Sequence, residues 1–169
     1  TIMAQPNRKY GVLGQLAPEL EVAQWIGADG AHIKPVQLAD FNDKVIVILA
    51  FQSWCPGCHR IGFPTLQQLI AHYGTDKEVV FLAIQTTFEG HESNTFVKLG
   101  ETQKKYGLKI PFGHDVGNST DEWPSLMLNY KTGGTPWFII IDKDRQVLFN
   151  NFHVQAANAI RIINQSLEE

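Results

Sequence analysis

The sequence predicts an α/β fold, a central sheet with helices on both faces, on three observations. Short runs of consecutive apolar residues, such as Val45-Ile46-Val47-Ile48-Leu49-Ala50-Phe51 and Trp137-Phe138-Ile139-Ile140-Ile141, have the length of buried strands rather than of helices. Segments with apolar residues three and four apart lie between them, as helices packed on a sheet require. The two patterns alternate along the chain, which implies crossovers, while the last two runs are close enough to pair as a hairpin.

Residues 1–16 carry turn formers and basic side chains (Pro6, Asn7, Arg8, Lys9, Gly11, Gly14) and are expected to be an N-terminal arm. Residues 17–169 are then a single domain, the default for a chain of 169 residues. Leu20-Glu21-Val22-Ala23-Gln24-Trp25-Ile26 alternates apolar and polar as a half-buried strand does. The turn Gly27-Ala28-Asp29-Gly30 leads to a second short strand near 33–38, and Asn42-Asp43-Lys44 turns into a buried strand at 45–52. Leu66, Leu69, Ile70 and Tyr73 then recur at helical spacing, with Pro64 predicting a kink or an irregular first turn. A buried strand follows at 78–85, and a helix at 94–106 presents Phe96, Leu99 and Gln103 on one side before Gly107 ends it. A short strand near 110–112, a polar loop at 117–121 and strands at 137–142 and 146–152 come next. A helix over 155–167 closes the chain, with Ala159, Ile160, Ile163 and Leu167 turned inward.

Composition limits what such a domain does. An apolar content of 44% with 18% charged residues belongs to a folded chain, large enough to bury roughly 70% of its unfolded surface. A formal charge of −3 argues against a nucleic-acid partner. No apolar stretch approaches the roughly 20 residues of a membrane span. Thr1 is not an initiator, which leaves room for a leader or anchor upstream.

The chemistry concentrates in Cys55-Pro56-Gly57-Cys58, which holds both cysteines of the chain. Thiols at i and i+3 lie one helical turn apart and can close a small ring. A strand delivering them to a helix N-terminus favours thiolate over thiol at Cys55, the more exposed and more nucleophilic of the two. Other readings stand beside this one. Structural zinc needs four ligands, and the six histidines show no paired spacing to supply them. Cys55-Pro56-Gly57-Cys58-His59 also fits the attachment signature of a c-type haem, with His59 as one axial ligand and Met127 available as the other. A purely structural disulfide would close only a tiny loop and constrain the unfolded chain little.

Trp54-Cys55-Pro56-Gly57-Cys58 between strand and helix, followed much later by Gly134-Thr135-Pro136 opening a strand, resembles the thioredoxin superfamily. Within it the chain is most similar to the TlpA/ResA-like thiol–disulfide oxidoreductases. The likeness extends to the hairpin near 18–38, the Asp43-Lys44-Val45 entry to the central strand, an inserted strand–helix unit and the Ile141-Asp142-Lys143-Asp144 turn. It covers roughly residues 17–167. The resemblance implies a thioredoxin-like fold: a central mixed β-sheet with helices on both faces, an N-terminal β-hairpin and the inserted unit. It implies that Pro136 is cis and packs beside the cysteines, and that Thr135 offers its main chain to an extended substrate segment. Trp54 would contact the substrate, whereas Trp137 fits a core position equally well.

Thiol chemistry then sets the mechanism. Cys55 attacks a substrate disulfide, Cys58 resolves the mixed disulfide, and the reverse sequence oxidises a dithiol. No cofactor is expected beyond the redox-active Cys55–Cys58 disulfide. The partners expected are protein dithiols or disulfides and an upstream thiol reductant or oxidant. A single domain with no dimerisation stem argues against a dedicated isomerase, a monomer is expected, and the resemblance implies export to the periplasm or another extracytoplasmic space.

The chain departs from its relatives where protons move. Thioredoxins carry a buried Asp six residues before the first cysteine, and here Leu49 stands there. TlpA-like proteins commonly place an acid three residues after the second cysteine and a proline at five; here Ile61 takes the first place and the proline, Pro64, comes one later. His59 is a candidate replacement, followed by Glu89, His91 and Glu92 on the loop after strand 78–85; that loop is also a weak candidate for metal ligands. His59 and Arg60 could add positive charge beside the thiols and lower their pKa. Two rival functions remain open. One is a peroxiredoxin-like thiol peroxidase, against which stands Gln52 where that family has Thr. The other is a non-enzymatic module holding Cu(I) or haem through Cys55 and Cys58.

Overall fold

The computed structural model describes residues 12–116 and 123–168. Residues 1–11 of the expected arm and the loop expected at 117–121 lie outside the described residues. Among the described residues, seven strands form one mixed sheet: β1 (Gln24–Ile26), β2 (His32–Ile33), β3 (Val45–Phe51), β4 (Val79–Thr86), β5 (Phe112–Asp115), β6 (Trp137–Ile141) and β7 (Val147–Asn151). Their order is β2-β1-β5-β4-β3-β6-β7. β3, β4 and β5 run parallel, the hairpin β1–β2 adds antiparallel to β5, and β6–β7 adds antiparallel to β3. The helices are α1 (Phe63–Tyr73), α2 (Val97–Lys105), α3 (Ser125–Tyr130) and α4 (Ala156–Leu167).

β3 is buried along its whole length because both of its faces are covered. Val45, Val47, Leu49 and Phe51 point to one side, into a core with Leu66 and Leu69 of α1, Leu99 of α2 and Ala159 and Ile163 of α4. Ile46, Ile48 and Ala50 point to the other, against Leu126 and Tyr130 of α3 and the segment carrying Val12, Leu20 and Val22. This is the thioredoxin-like α/β architecture expected, with its N-terminal hairpin.

Several boundaries differ from the expectation, each for a local reason. The alternating stretch from Leu20 pairs as a strand only from Gln24; Val22 is buried, but its carbonyl is taken by the Trp25 indole at 2.7 Å. After the two-residue β2, residues 38–41 form a tight 3₁₀ turn, held where Leu38 N donates to Glu19 at 2.8 Å and Gln37 N to Asp40 at 2.9 Å. α3 has no counterpart in the sequence pattern. It follows Pro124, and its first amides, Ser125 and Leu126, donate to the Asp115 carboxylate at 3.1 and 2.8 Å, an acid from the end of β5. Residues 12–16, placed in the arm by their composition, lie against β7: Gly14 N donates to Val147 O and Val147 N to Gln15 O, both at 2.9 Å.

Candidate active site

β3 ends at Phe51, and a turn through Gln52, Ser53 and Trp54 delivers Cys55 to the cap of a helix whose first residue is Pro56. Proline suits that first position, since its missing N–H would have no partner within the helix. Cys55 is 3% exposed and Cys58 fully buried; both are free thiols, their sulfurs 2.6 Å apart. The Cys58 amide donates to Cys55 Sγ at 3.2 Å, and the Thr135 carbonyl lies 3.7 Å from the same sulfur.

These neighbours split the pair. The Cys58 thiol donating to Cys55, helped by Thr135 and the amides of Cys58 and Gly57, outweighs burial and lowers the Cys55 pKa to about 6. For Cys58, burial comes first and the neighbouring Cys55 second, and both push its pKa far up. At neutral pH the site therefore presents one thiolate and one thiol, which is the state a nucleophile and a waiting resolving group require.

The Thr135–Pro136 peptide is cis, and Pro136 sits against the helix carrying the cysteines. That helix is irregular. Residues Cys58–Gly62 form a π turn, closed where Phe63 N donates to Cys58 O, five residues back, before α1 continues with Pro64 in its first turn. The π turn thus lies between the second cysteine and Pro64. Gly57, just before this wider turn, and Gly62, its last residue, both face Pro136. A Cβ added at Gly62 would lie 3.0 Å from the proline Cβ, and one at Gly57 3.3 Å from its Cδ.

Around this centre Trp54 is 39% exposed and Trp137 is buried, its indole bonded to Asn150, so Trp137 is a core residue. The loop after β4 folds over Trp54. Gly90, with φ of 58°, passes so close that a Cβ there would lie 3.1 Å from the indole, and Asn94 accepts from Trp54 N at 3.2 Å. Buried Gln52 anchors the loop from beneath, accepting from Phe88 N and Glu89 N at 3.4 Å while its amide lies 3.5 Å from Thr135 Oγ1. Sequence reasoning used Gln52 only as a missing threonine. A polar residue at the end of an apolar strand was the available signal.

The opposite flank of the cysteines is polar. His59 Nε2 lies 2.5 Å from Ser53 O and its Nδ1 meets the Tyr106 hydroxyl, while Arg60 is exposed on the helix surface. Ser53 Oγ bonds to Gln85 at the end of β4, and Gln85 Nε2 reaches His114 Nδ1 at 2.9 Å. Burial, then His91, lowers the His114 pKa to about 4. Beyond His59 an open groove of about 510 Å³ is lined by Ser53, Trp54, Glu92, Lys98, Glu101 and Lys105. Leu49 is fully buried where thioredoxins carry Asp. The charge expected of His59 and Arg60 is thus not what holds the Cys55 thiolate: its leading partners are Cys58 and Thr135. Among the described residues, no three His, Cys, Asp or Glu side chains converge as a metal-holding group. A haem tethered to both sulfurs would need surface cysteines and a free imidazole, whereas here the thiols are buried and both ring nitrogens are engaged.

The model of the AhpC/TSA family matches residues 13–149, which include this strand–helix junction. The chain belongs to the AhpC/TSA family. This AhpC/TSA member is similar to the thioredoxin-like superfamily protein SPOA0173, at 34% identity and a TM-score of 0.80 over 91% of this chain and 97% of that one. It is similar to a thiol-disulfide isomerase from Corynebacterium glutamicum, at 27% identity and a TM-score of 0.77 over 90% and 97%. A conserved protein from Geobacillus kaustophilus shares the fold at 21% identity and a TM-score of 0.73, over 98% and 88%. No curated protein sequence matches. Family and neighbours together make this chain a thioredoxin-like thiol oxidoreductase. No helix among the described residues is long and apolar enough to cross a membrane.

Proposed function

We propose that this AhpC/TSA member exchanges its Cys55–Cys58 dithiol with cysteines of partner proteins, Cys55 acting as nucleophile and Cys58 as resolving thiol. The observation that carries this reading is the pair of free thiols 2.6 Å apart beside the Thr135 main chain, whose surroundings pull the Cys55 pKa down and push that of Cys58 up. Trp54, Thr135 and Pro136 are the substrate-contacting residues of this proposal, and the disulfide itself is the only redox group it requires. The TlpA-like resemblance adds an extracytoplasmic setting, which cell fractionation tests.

A peroxidase is the second reading, favoured by the family match itself. Against it, the position three residues before Cys55 holds Gln52, whose side chain is committed to the loop after β4 and to Thr135. Reduction of insulin disulfides and consumption of hydrogen peroxide, assayed with the same protein and the same dithiothreitol supply, separate the two. Exchange predicts insulin reduction with peroxide loss no faster than for free dithiothreitol. The opposite pattern would move the assignment to peroxidase. The potential of the pair in glutathione buffers then gives direction, near −250 mV or lower for a reductant and about −120 mV for an oxidant.

A further inference from the structure

Gln52 directly follows the seven apolar residues of β3 and is fully buried. A primary amide taken out of water needs hydrogen-bond partners to remain there, and those of Gln52 all belong to the redox site. Its main-chain carbonyl accepts from Cys55 N at 3.1 Å. Its side-chain oxygen accepts from Phe88 N and Glu89 N, both at 3.4 Å, and its side-chain nitrogen lies 3.5 Å from Thr135 Oγ1. These contacts fix which way the amide points. A main-chain N–H only donates, so the oxygen faces Phe88 and Glu89 and the NH2 group faces Thr135. Thr135 Oγ1 accepts in that pairing, which leaves its own hydroxyl hydrogen to other groups. The Thr135 carbonyl lies 3.7 Å from Cys55 Sγ. After the Cys58 thiol, and against burial, the Thr135 side chain helps to lower the Cys55 pKa.

The loop after β4 hangs from two points. One is Gln52. The other is Asn94, whose Oδ1 accepts from Trp54 N at 3.2 Å while its Nδ2 donates to Glu89 O at 3.1 Å and Gly90 O at 3.0 Å. Between them Gly90 lies against the Trp54 indole. Gln52 thus joins the loop over Trp54 to Cys55 and to Thr135, a residue 83 positions away in the chain. We infer that Gln52 is a positioning residue that holds Thr135 against the dithiol and ties it to the loop over Trp54, so that the two sides of the substrate site keep one spacing; the inference rests on the exchange reading above. Gln52 touches no substrate and transfers no proton. It acts through Thr135 on one side and through Phe88 and Glu89 on the other. An apolar side chain of the same bulk would fill its space but leave two loop amides and the threonine hydroxyl without their partner.

Gln52→Met keeps the length of the side chain and removes both of its bonding atoms. The pH midpoint of Cys55 alkylation by iodoacetamide should then rise by about half to one pH unit, the scale of one lost hydrogen bond. Exchange of the Phe88 and Glu89 amides with deuterium should quicken by about 2- to 12-fold on the same scale. Thr135→Val, which keeps the shape of the threonine and loses Oγ1, reads the link from its other end and leaves the buried amide in place. It should also raise the midpoint and quicken the same two amides. Because Gln52 acts on Cys55 through Thr135, the double variant should have the midpoint of Thr135→Val alone, where independent effects would add. An unmoved midpoint in Gln52→Met, or additive shifts in the double variant, overturns the positioning role. Unchanged exchange at Phe88 and Glu89 in Thr135→Val overturns the tie to the loop. Insulin left unreduced by the unaltered protein overturns the exchange reading instead, since neither the midpoint nor the amide exchange needs a substrate.

Discussion

Cys55 and Cys58 stand one helical turn apart, both are buried, and they ionise in opposite directions. Cys55 collects donors: the Cys58 thiol, the amides of Gly57 and Cys58, and Thr135. Cys58 lies one turn deeper in the fold, where burial and the neighbouring Cys55 dominate. The comparison teaches that the asymmetry comes from where the donors point, because the two side chains are chemically identical.

The largest effects come from removing either sulfur. Turnover of a disulfide substrate should fall to background in both Cys55→Ser and Cys58→Ser, but only Cys58→Ser should accumulate the mixed disulfide on a non-reducing gel. Equal trapping by the two variants would erase the assigned order of attack.

A change at Gly62 probes the comparison from the proline side. Gly62→Val places carbon where the Pro136 ring already lies, and overpacking of this kind costs about 1–3 kcal/mol. Gly100, inside α2 with no atom near its missing Cβ, is the control, and Gly100→Ala should stabilise by about 0.5–1 kcal/mol. Thermal melts of both variants check the pair of signs. Because Gly62→Val moves Pro136, and with it Thr135, it should also raise the pH at which Cys55 is alkylated while leaving Cys58 unreactive. A variant as stable as the unaltered protein would mean that the proline yields freely.

How legible this was from the sequence follows the same physics. β3, β6 and α4 could be read because their apolar patterns are continuous and match their periods, and the cysteine pair stood out because no other thiol competes with it. α3 could not, since six residues hold too little pattern and its N-terminal partner, Asp115, sits on the preceding strand rather than at the cap position. Pro64 signalled an irregular first turn, but the π turn itself depends on how Gly57 and Gly62 meet a proline more than 70 residues away. Tyr106 read only as the last residue of a predicted helix, and its contact with His59 spans 47 residues. Such tertiary pairings leave no local mark.

Cys58→Ala isolates the first donor on Cys55. The largest cause of the low pKa is then gone, and the midpoint of iodoacetamide alkylation should climb from about 6 toward the ordinary thiol range. A midpoint that stays near its starting value would assign the thiolate to the amides and Thr135 alone.

The smallest effect concerns a group that burial governs as it governs Cys58. His114 is buried on β5, and its Nδ1 meets the Gln85 amide, which donates, so the ring is neutral. Its folded pKa of about 4 lies below the 6.5 of an unfolded histidine, so the unfolded chain binds the extra proton first as the pH falls. Stability from this group is therefore intact above pH 6.5, declines between 6.5 and 4, and is level below 4. Between pH 7 and pH 5 the loss should be about 1–2 kcal/mol. His114→Gln removes the titrating group, so urea unfolding at the two pH values should show a smaller drop for the variant, whatever its stability at pH 7. An identical drop in both proteins would mean that His114 takes up its proton inside the fold. Burial would then not be what keeps buried groups of this protein neutral, and the account of Cys58 would need a different cause.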